Sequence, residues 1–149
     1  MRAVVQRCLK ASVAVEGKEI SSIGAGMAVL LGVEKDDREE DVRYIVEKLA
    51  TLRIFQDENG KMNLDLSQVQ GELLLVSQFT LCGDARKGRR PDYMQAASSV
   101  QARQFYETAV QRLRQKGIPV QCGEFGADMK VMLVNDGPVT ILLDSKKAF

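Results

Sequence analysis

Leu73-Leu74-Leu75-Val76-Ser77-Gln78-Phe79-Thr80 is the stretch on which the fold of this chain turns. Its first half is an unbroken apolar run opened by Gly71-Glu72, and reads as a strand covered on both faces. Its second half places two hydroxyls, a carboxamide and an aromatic ring at the end of that strand. Polar groups delivered by a rigid buried element are the usual raw material of a site. A strand covered on both faces also demands partners, and the flanking chain supplies them.

Upstream, Met27-Ala28-Val29-Leu30-Leu31-Gly32-Val33 is a second continuous apolar run of the same kind. Residues Arg2 to Val15 alternate loosely, with Ala3, Val5, Val13 and Val15 as apolar points, and predict two strands around a Lys10-Ala11 connection. Glu16-Gly17 predicts a hairpin turn into Lys18–Ile23, and these segments are expected in one sheet. Asp36 or Asp37 is expected to cap a helix whose first turn carries Glu39, Glu40 and Asp41, acids that suit the positive end of the helix dipole. Val42, Ile45, Val46, Leu49 and Leu52 follow at three- and four-residue steps and form its apolar face. Asp57-Glu58-Asn59-Gly60 has the composition of a tight turn before Lys61-Met62-Asn63-Leu64.

Downstream, the segment Gly83 to Pro91 is polar and basic, with Arg86, Lys87, Arg89 and Arg90 grouped around Gly88. Taken alone, such a cluster reads as a solvated loop. Ser98 or Ser99 predicts the start of a second helix with Val100, Phe105, Ala109, Val110 and Leu113 turned inward and Gly117 and Pro119 closing it. Then come Val120-Gln121-Cys122, Gly123 to Asp128, a strand from Met129 to Val134, and a closing strand from Val139 to Asp144. Between those last two lies Asn135-Asp136-Gly137-Pro138, where the chain must turn sharply: Gly137 tolerates unusual dihedrals and Pro138 permits a cis bond. Strands and two long helices in this order predict an α/β fold of α+β character, with mixed β-sheets in a layered sandwich and helices on one side. Periodicity leaves open whether the ends at Ser77–Thr80 and Asn135–Thr140 meet in space.

The chain has 149 residues and no repeat, linker or low-complexity tract, so a single domain spanning 1–149 is expected. Twenty-one basic side chains face 20 acidic ones, so no global field recruits nucleic acid and any such contact must rest on a local patch. Three cysteines without CxxC spacing and no signal-like N-terminus point to the cytoplasm, and no apolar run reaches membrane-spanning length. Histidine is absent. No Ser-His-Asp or Cys-His unit can be built, and metal ligands are few, so neither a metal nor another cofactor is expected.

Ser77-Gln78-Phe79-Thr80-Leu81, Asn135-Asp136-Gly137-Pro138-Val139-Thr140, Phe125-Gly126-Ala127-Asp128-Met129, Lys61-Met62-Asn63 and the opening Met1-Arg2-Ala3-Val4-Val5-Gln6-Arg7 together resemble the D-aminoacyl-tRNA deacylases. The resemblance runs from Met1 to about Ser145. It implies a cytoplasmic homodimer, without membrane or DNA as partner, that hydrolyses the ester between a D-amino acid, or glycine, and the terminal adenosine of tRNA. It also implies a cis Gly137-Pro138 peptide that reaches into the partner subunit's active site. There its carbonyls would take the α-amino group and exclude the side chain of an L-residue.

Residue by residue, the resemblance implies that Ser77, Gln78, Phe79 and Thr80 line the ester pocket, with the amides of Phe79 and Thr80 as oxyanion donors. Phe125 and Met129 would hold the terminal adenine, and Arg7 would fix the Gly137-Pro138 loop, against an ordinary reading as a sheet-edge charge. Arg86, Lys87, Arg89 and Arg90 become candidate phosphate contacts. Thr80 as a covalent nucleophile would need an activating base that the sequence does not offer. Hydrolysis assisted by the substrate's own 2′-hydroxyl is the favoured reading. Cys82-Gly83, directly after the first motif, departs from the aromatic and small pair expected there, and a structural role is expected for the thiol. A non-catalytic RNA-binding module, a DNA-associated role and selectivity for an L-alanyl ester are the rival readings.

Overall fold

The sheet is organised around one unusually long strand. In the computed structural model, which describes residues 1–148, β1 runs unbroken over Arg2–Val15. It is followed by β2 (Lys18–Ile23), β3 (Gly26–Gly32), helix α1 (Glu39–Thr51), the short β4 (Phe55–Gln56) and β5 (Met62–Leu64), and β6 (Glu72–Ser77). A 3-10 turn (Phe79–Cys82), helix α2 (Ser99–Gln115), β7 (Val120–Cys122) and β8 (Met129–Asp144) complete the chain. One edge of β1 pairs with β3 over its first half and with β2 over its second; the other edge pairs antiparallel with β8 throughout. Beyond β3 the ladder turns parallel, β3 to β6 and β6 to β7, with α1 and α2 in the crossovers.

The two faces of the central strands carry different cores. Val29, Leu31, Leu73 and Leu75 pack with Val42, Ile45, Val46 and Leu49 of α1 and with Tyr106, Ala109, Val110 and Leu113 of α2. On the opposite face Ala28, Leu74 and Val76 meet Cys8, Ala11 and Val13 of β1 and Ile23 of β2. The sheet therefore curls back on itself, nearly like a barrel, while both helices cover one side. This is why Leu73–Val76 is apolar at every position: its strand is enclosed by helices in front and by the curled end of its own sheet behind.

Several sequence-based expectations are corrected. Arg2–Val15 is one strand, because β8 pairs across the Lys10-Ala11 pause; the register shift around Cys8 to Lys10 marks a bend and not a break. For the same reason Met129–Val134 and Val139–Asp144 are the two arms of one strand. Asp37 does not cap α1. It is buried, and its carboxylate accepts from the Met1 ammonium (2.6 Å) and the Glu34 amide (2.6 Å), while Asp41 accepts from the Arg38 amide (2.7 Å) at the helix start. In α2 the Ser98 hydroxyl accepts from the Gln101 amide, as a capping serine should. Val100, however, is 80% exposed, and Tyr106 occupies the inward stripe instead. The first turn of α2 borders a cleft through Ser99 and Ala102, and Ala102 also reaches the core. The Glu16-Gly17 hairpin forms with φ of 50° and 77°, the mirror-image turn that suits strand twist.

This division predicts opposite outcomes for two helix substitutions. Leu49→Ala should lower the free energy of unfolding in urea by about 2–5 kcal/mol, the range for a fully buried leucine. Val100→Ala should stay within about 0.5 kcal/mol of the parent protein, as for an exposed position.

Candidate active site

Strand β6 ends at Ser77, and the chain tightens at once into the 3-10 turn. Gln78 is held there by its amide, which donates to the Leu31 carbonyl at 2.8 Å. This approach needs Gly32: a Cβ at that position would stand 2.9 Å from the Gln78 carbonyl oxygen. The first amides of a helical turn have no acceptor within it, so the N–H groups of Phe79 and Thr80 are left to donate outward. The Gln78 carboxamide donates to the Thr80 hydroxyl. Cys82 faces inward, its thiol donating to the Val33 carbonyl at 3.4 Å, and burial raises its pKa from 9.0 to about 11. A buried thiol so reluctant to ionise is a packing group.

In front of this turn lies a cleft of about 520 Å³. Its floor comes from Leu31, Val33, Val76 and Ser77 at the strand ends, its sides from Gln78 and Phe79, from Ser99, Ala102 and Tyr106 of α2, and from Phe125 to Met129. Thr80 is exposed on the rim and does not line it. The Tyr106 hydroxyl donates to the Leu75 carbonyl at 2.7 Å, and the same oxygen accepts the Gly123 amide at 3.0 Å. That junction ties α2, β6 and the segment leading to Phe125 together. Burial raises the Tyr106 pKa far above its ordinary value, with the Cys122 thiol adding to the effect. The Phe125 ring lies 5.9 Å from that of Tyr106 and has the Arg103 guanidinium 4.8 Å from its centroid. Met129 packs closely on Gly123, where a Cβ would stand 2.6 Å from the thioether sulfur.

Asn135–Thr140 stands elsewhere. The β1–β8 ladder pairs Gln6 with Thr140 and Cys8 with Asn135, so residues 136–139 leave it opposite Arg7. The Gly137–Pro138 peptide is cis, and both residues are exposed. Arg7 is buried beneath the loop. Its Nε donates to the Asp136 carbonyl (3.2 Å) and lies 3.0 Å from the Asp136 carboxylate, while Nη1 donates to the Ile54 carbonyl (2.6 Å). The neighbouring Gln6 pinches the two ends of the loop, donating to the Asn135 side-chain oxygen (2.5 Å) and accepting from the Thr140 hydroxyl (3.0 Å). None of the cleft-lining residues comes from Asn135–Thr140. Within one chain the two stretches do not share a cleft.

The basic segment forms a small hairpin closed by reciprocal backbone bonds between Asp84 and Asp92, at 2.7 and 2.9 Å. Arg86 turns back to grip Asp84 through two side-chain bonds of 2.9 and 2.6 Å, and this pairing holds the Asp84 carboxyl well below the usual carboxylate range. Its charge is thus largely committed inside the hairpin. Lys87, Arg89 and Arg90 are exposed and have no ion-pair partner among the described residues. The hairpin leads into Tyr93, whose ring meets that of Phe79 edge-on at 5.3 Å. Sequence reasoning did not single out Gln6, Tyr93, Met94 or Arg103. Nothing in periodicity marks a residue whose partner lies on another element.

Among the described residues no group of three or more His, Cys, Asp or Glu side chains is placed to hold a metal ion, and no helix is long and apolar enough to cross a membrane. The cleft opens at the carboxyl ends of parallel strands and mixes apolar side chains with two serines, a carboxamide and a carboxylate. This is the ligand-site geometry of α/β enzymes. The profile of the family described as D-Tyr-tRNA(Tyr) deacylase matches residues 4–144, and the chain belongs to that family. It is accordingly an enzyme of the deacylase class. It is 58% identical over 149 residues, all of both chains, to the D-aminoacyl-tRNA deacylase of Thermosipho africanus. With that of Myxococcus xanthus the identity is 61% over 145 residues, 97% of this chain and 95% of the other. A solved structure titled c-Myc DNA Unwinding Element Binding Protein superposes with a TM-score of 0.92 at 44% identity, covering 97% of this chain and 98% of that one. A probable eukaryotic D-amino acid tRNA deacylase shares the fold, with a TM-score of 0.83 at 18% identity over 95% of this chain and 97% of that one.

The Cys82 environment yields a pH prediction. The folded protein keeps the thiol protonated up to about pH 11, whereas an unfolded chain loses the proton near 9.0. Unfolding therefore releases protons between those values, and stability should fall as pH rises from 9 to about 11. Cys82→Ala should flatten that decline, read by urea titration at several pH values.

Proposed function

We propose that this enzyme hydrolyses the ester of D-aminoacyl-tRNA, and of glycyl-tRNA, in the cytoplasm as a homodimer. The observation that carries the reading is the separation of the two motifs. A cleft walled by Ser77, Gln78 and Phe79 opens on one part of the chain, while an exposed loop gripped by Gln6 and Arg7 projects from another. An exposed, well-anchored loop that does not line this cleft in its own subunit is suited to complete the cleft of a second copy. Met132, Leu133, Val134 and Leu142 of β8 and Leu9 of β1 are large exposed apolar side chains on the same strands, suitable for such an interface.

In the assembled site the terminal adenosine occupies the cleft against Phe125 and Met129, and the ester carbonyl lies at the 3-10 turn. The amides of Phe79 and Thr80 receive the developing oxyanion. Carbonyls of the partner's loop accept bonds from the substrate ammonium without adding a charge to be desolvated, and the loop excludes an L side chain by its position. Steric exclusion of this kind depends on stiffness, which the Gln6 and Arg7 contacts provide. The Thr80 hydroxyl is engaged by Gln78 and has no neighbouring imidazole, so water positioned by the substrate's 2′-hydroxyl is the attacking group. Lys87, Arg89 and Arg90 hold phosphates of the tRNA.

Hydrolysis of D-tyrosyl-tRNA and L-tyrosyl-tRNA should be measured side by side. The parent protein should cleave the D-ester only, and Arg7→Met should erode the ratio by roughly tenfold or more by loosening the loop, about 1.4 kcal/mol of discrimination. Cleavage of neither ester would end the deacylase reading. Thr80→Ala should lose less than about tenfold in rate, while D-tyrosyl-tRNA ending in 2′-deoxyadenosine should be a poor substrate. A loss beyond about a thousandfold in Thr80→Ala, with the fold intact, would instead make Thr80 a direct participant.

A further inference from the structure

Between the cleft wall at Phe79 and the basic hairpin lie two exposed side chains, Tyr93 and Met94, that the proposed reaction does not use. Phe79 is 58% exposed, Tyr93 40% and Met94 76%. The Phe79 and Tyr93 rings are in edge-on contact at 5.3 Å, and Met94 is the next residue along the chain. The shelf is built to hold its shape. Tyr93 rests on Gly83, where a Cβ would come within 2.9 Å of a ring carbon, and its carbonyl accepts the Ala96 amide at 2.9 Å. The Met94 amide donates to the Asp92 carboxylate at 2.6 Å. On one side the shelf adjoins the cleft, because Phe79 lines it. On the other it continues into the hairpin, because Asp92, which closes the hairpin on Asp84, immediately precedes Tyr93.

Apolar faces on the chain that leaves a hairpin of unpaired cations suit an unpaired nucleic-acid strand, whose bases stack on the faces while its phosphates meet the charges. We propose that Tyr93 and Met94 form a stacking shelf for the bases immediately upstream of the terminal nucleoside, with the intervening phosphates directed towards Lys87, Arg89 and Arg90. The proposal rests on the reading that the cleft takes the terminal nucleoside of an RNA. It adds that recognition extends along the unpaired 3′ strand and is carried by side chains outside the cleft. Aromatic, methionine and arginine side chains are also enriched at protein interfaces, so a protein partner is the rival that the test must separate.

The test compares D-tyrosyl-tRNA with D-tyrosyl-adenosine, which ends where the shelf begins. Tyr93→Ala and Met94→Gln should each raise KM for the tRNA substrate on the order of tenfold, the scale of one lost base stack. D-tyrosyl-adenosine should change by less than about twofold, and Tyr93→Phe should behave as the parent on both, because the ring and not the hydroxyl does the stacking. Equal losses on the two substrates would overturn the proposal, since they would make the shelf a support for the cleft. No loss on either would also overturn it, as would a changed sedimentation coefficient with the substrate ratio unaltered, which would make the shelf a protein interface. If the parent protein cleaves neither ester, the deacylase reading fails separately. The shelf is then judged by anisotropy with a fluorescent single-stranded RNA ending in adenosine: weaker binding by Tyr93→Ala upholds it, and unchanged binding removes it.

Discussion

Strand β1 is hydrogen-bonded to a neighbour on both edges along nearly its whole length, to β8 on one side and to β3 and then β2 on the other. Every functional feature depends on that double ladder. Its bend near Cys8 to Lys10 lets the second half of β1 and β2 fold behind β3 and β6, closing the second core over Ala28, Leu74 and Val76. With helices on the front and its own sheet behind, β6 is immobilised on both faces, and the 3-10 turn at its end starts from a fixed point. The same ladder forces β8 to expel residues 136–139, because pairing resumes on either side of them. Rigidity at the cleft and projection of the loop are two results of one pairing scheme.

The chemistry of the site is modest in side chains and rich in backbone. The cleft wall contains aliphatic and aromatic groups, two serines, a carboxamide and one exposed carboxylate, Asp128. Such a site has little to gain from side-chain acid–base chemistry and much to gain from placing amides and carbonyls accurately. The buried polar contacts near the loop and the cleft are of that kind. Arg7 and the Tyr106 hydroxyl, both buried, donate to backbone oxygens that position a loop or a strand end, and Gln6 spans the loop ends at the surface. Buried groups satisfied in this way hold one geometry and disfavour others. Arg86 shows the contrast: exposed and paired to a carboxylate two residues away, it shapes its hairpin and leaves the outward charge to its neighbours.

The strands at Met27–Val33 and Leu73–Val76, the first helix and the hairpin at Glu16-Gly17 were legible because each is announced by local periodicity or turn chemistry. The motif residues were legible through resemblance, and the structure sets Ser77, Gln78, Phe79, Phe125 and Met129 around one cleft. Errors fell where a local signal was overruled at long range. Lys10-Ala11 looks like a connection, yet β8 pairs across it. Asp37 looks like a cap, yet the Met1 ammonium claims it. Val100 has the right spacing for the core, yet it is 80% exposed while Ala97 and Ala102 on either side pack against the core.

The sequence by itself determined the element types, the apolar enclosure of the central strands, the absence of imidazole chemistry and the family, because composition, spacing and short motifs are local properties of a chain. Only the tertiary structure decided that Arg7 is a buried anchor, that Gln6 spans the base of the loop, that Tyr93 stands beside Phe79, and that the loop and the cleft lie apart in one subunit. Each of these is a relation between residues distant in the chain, and it is fixed by the register of β1 against β8 and by the curl of the sheet, which no window of sequence contains.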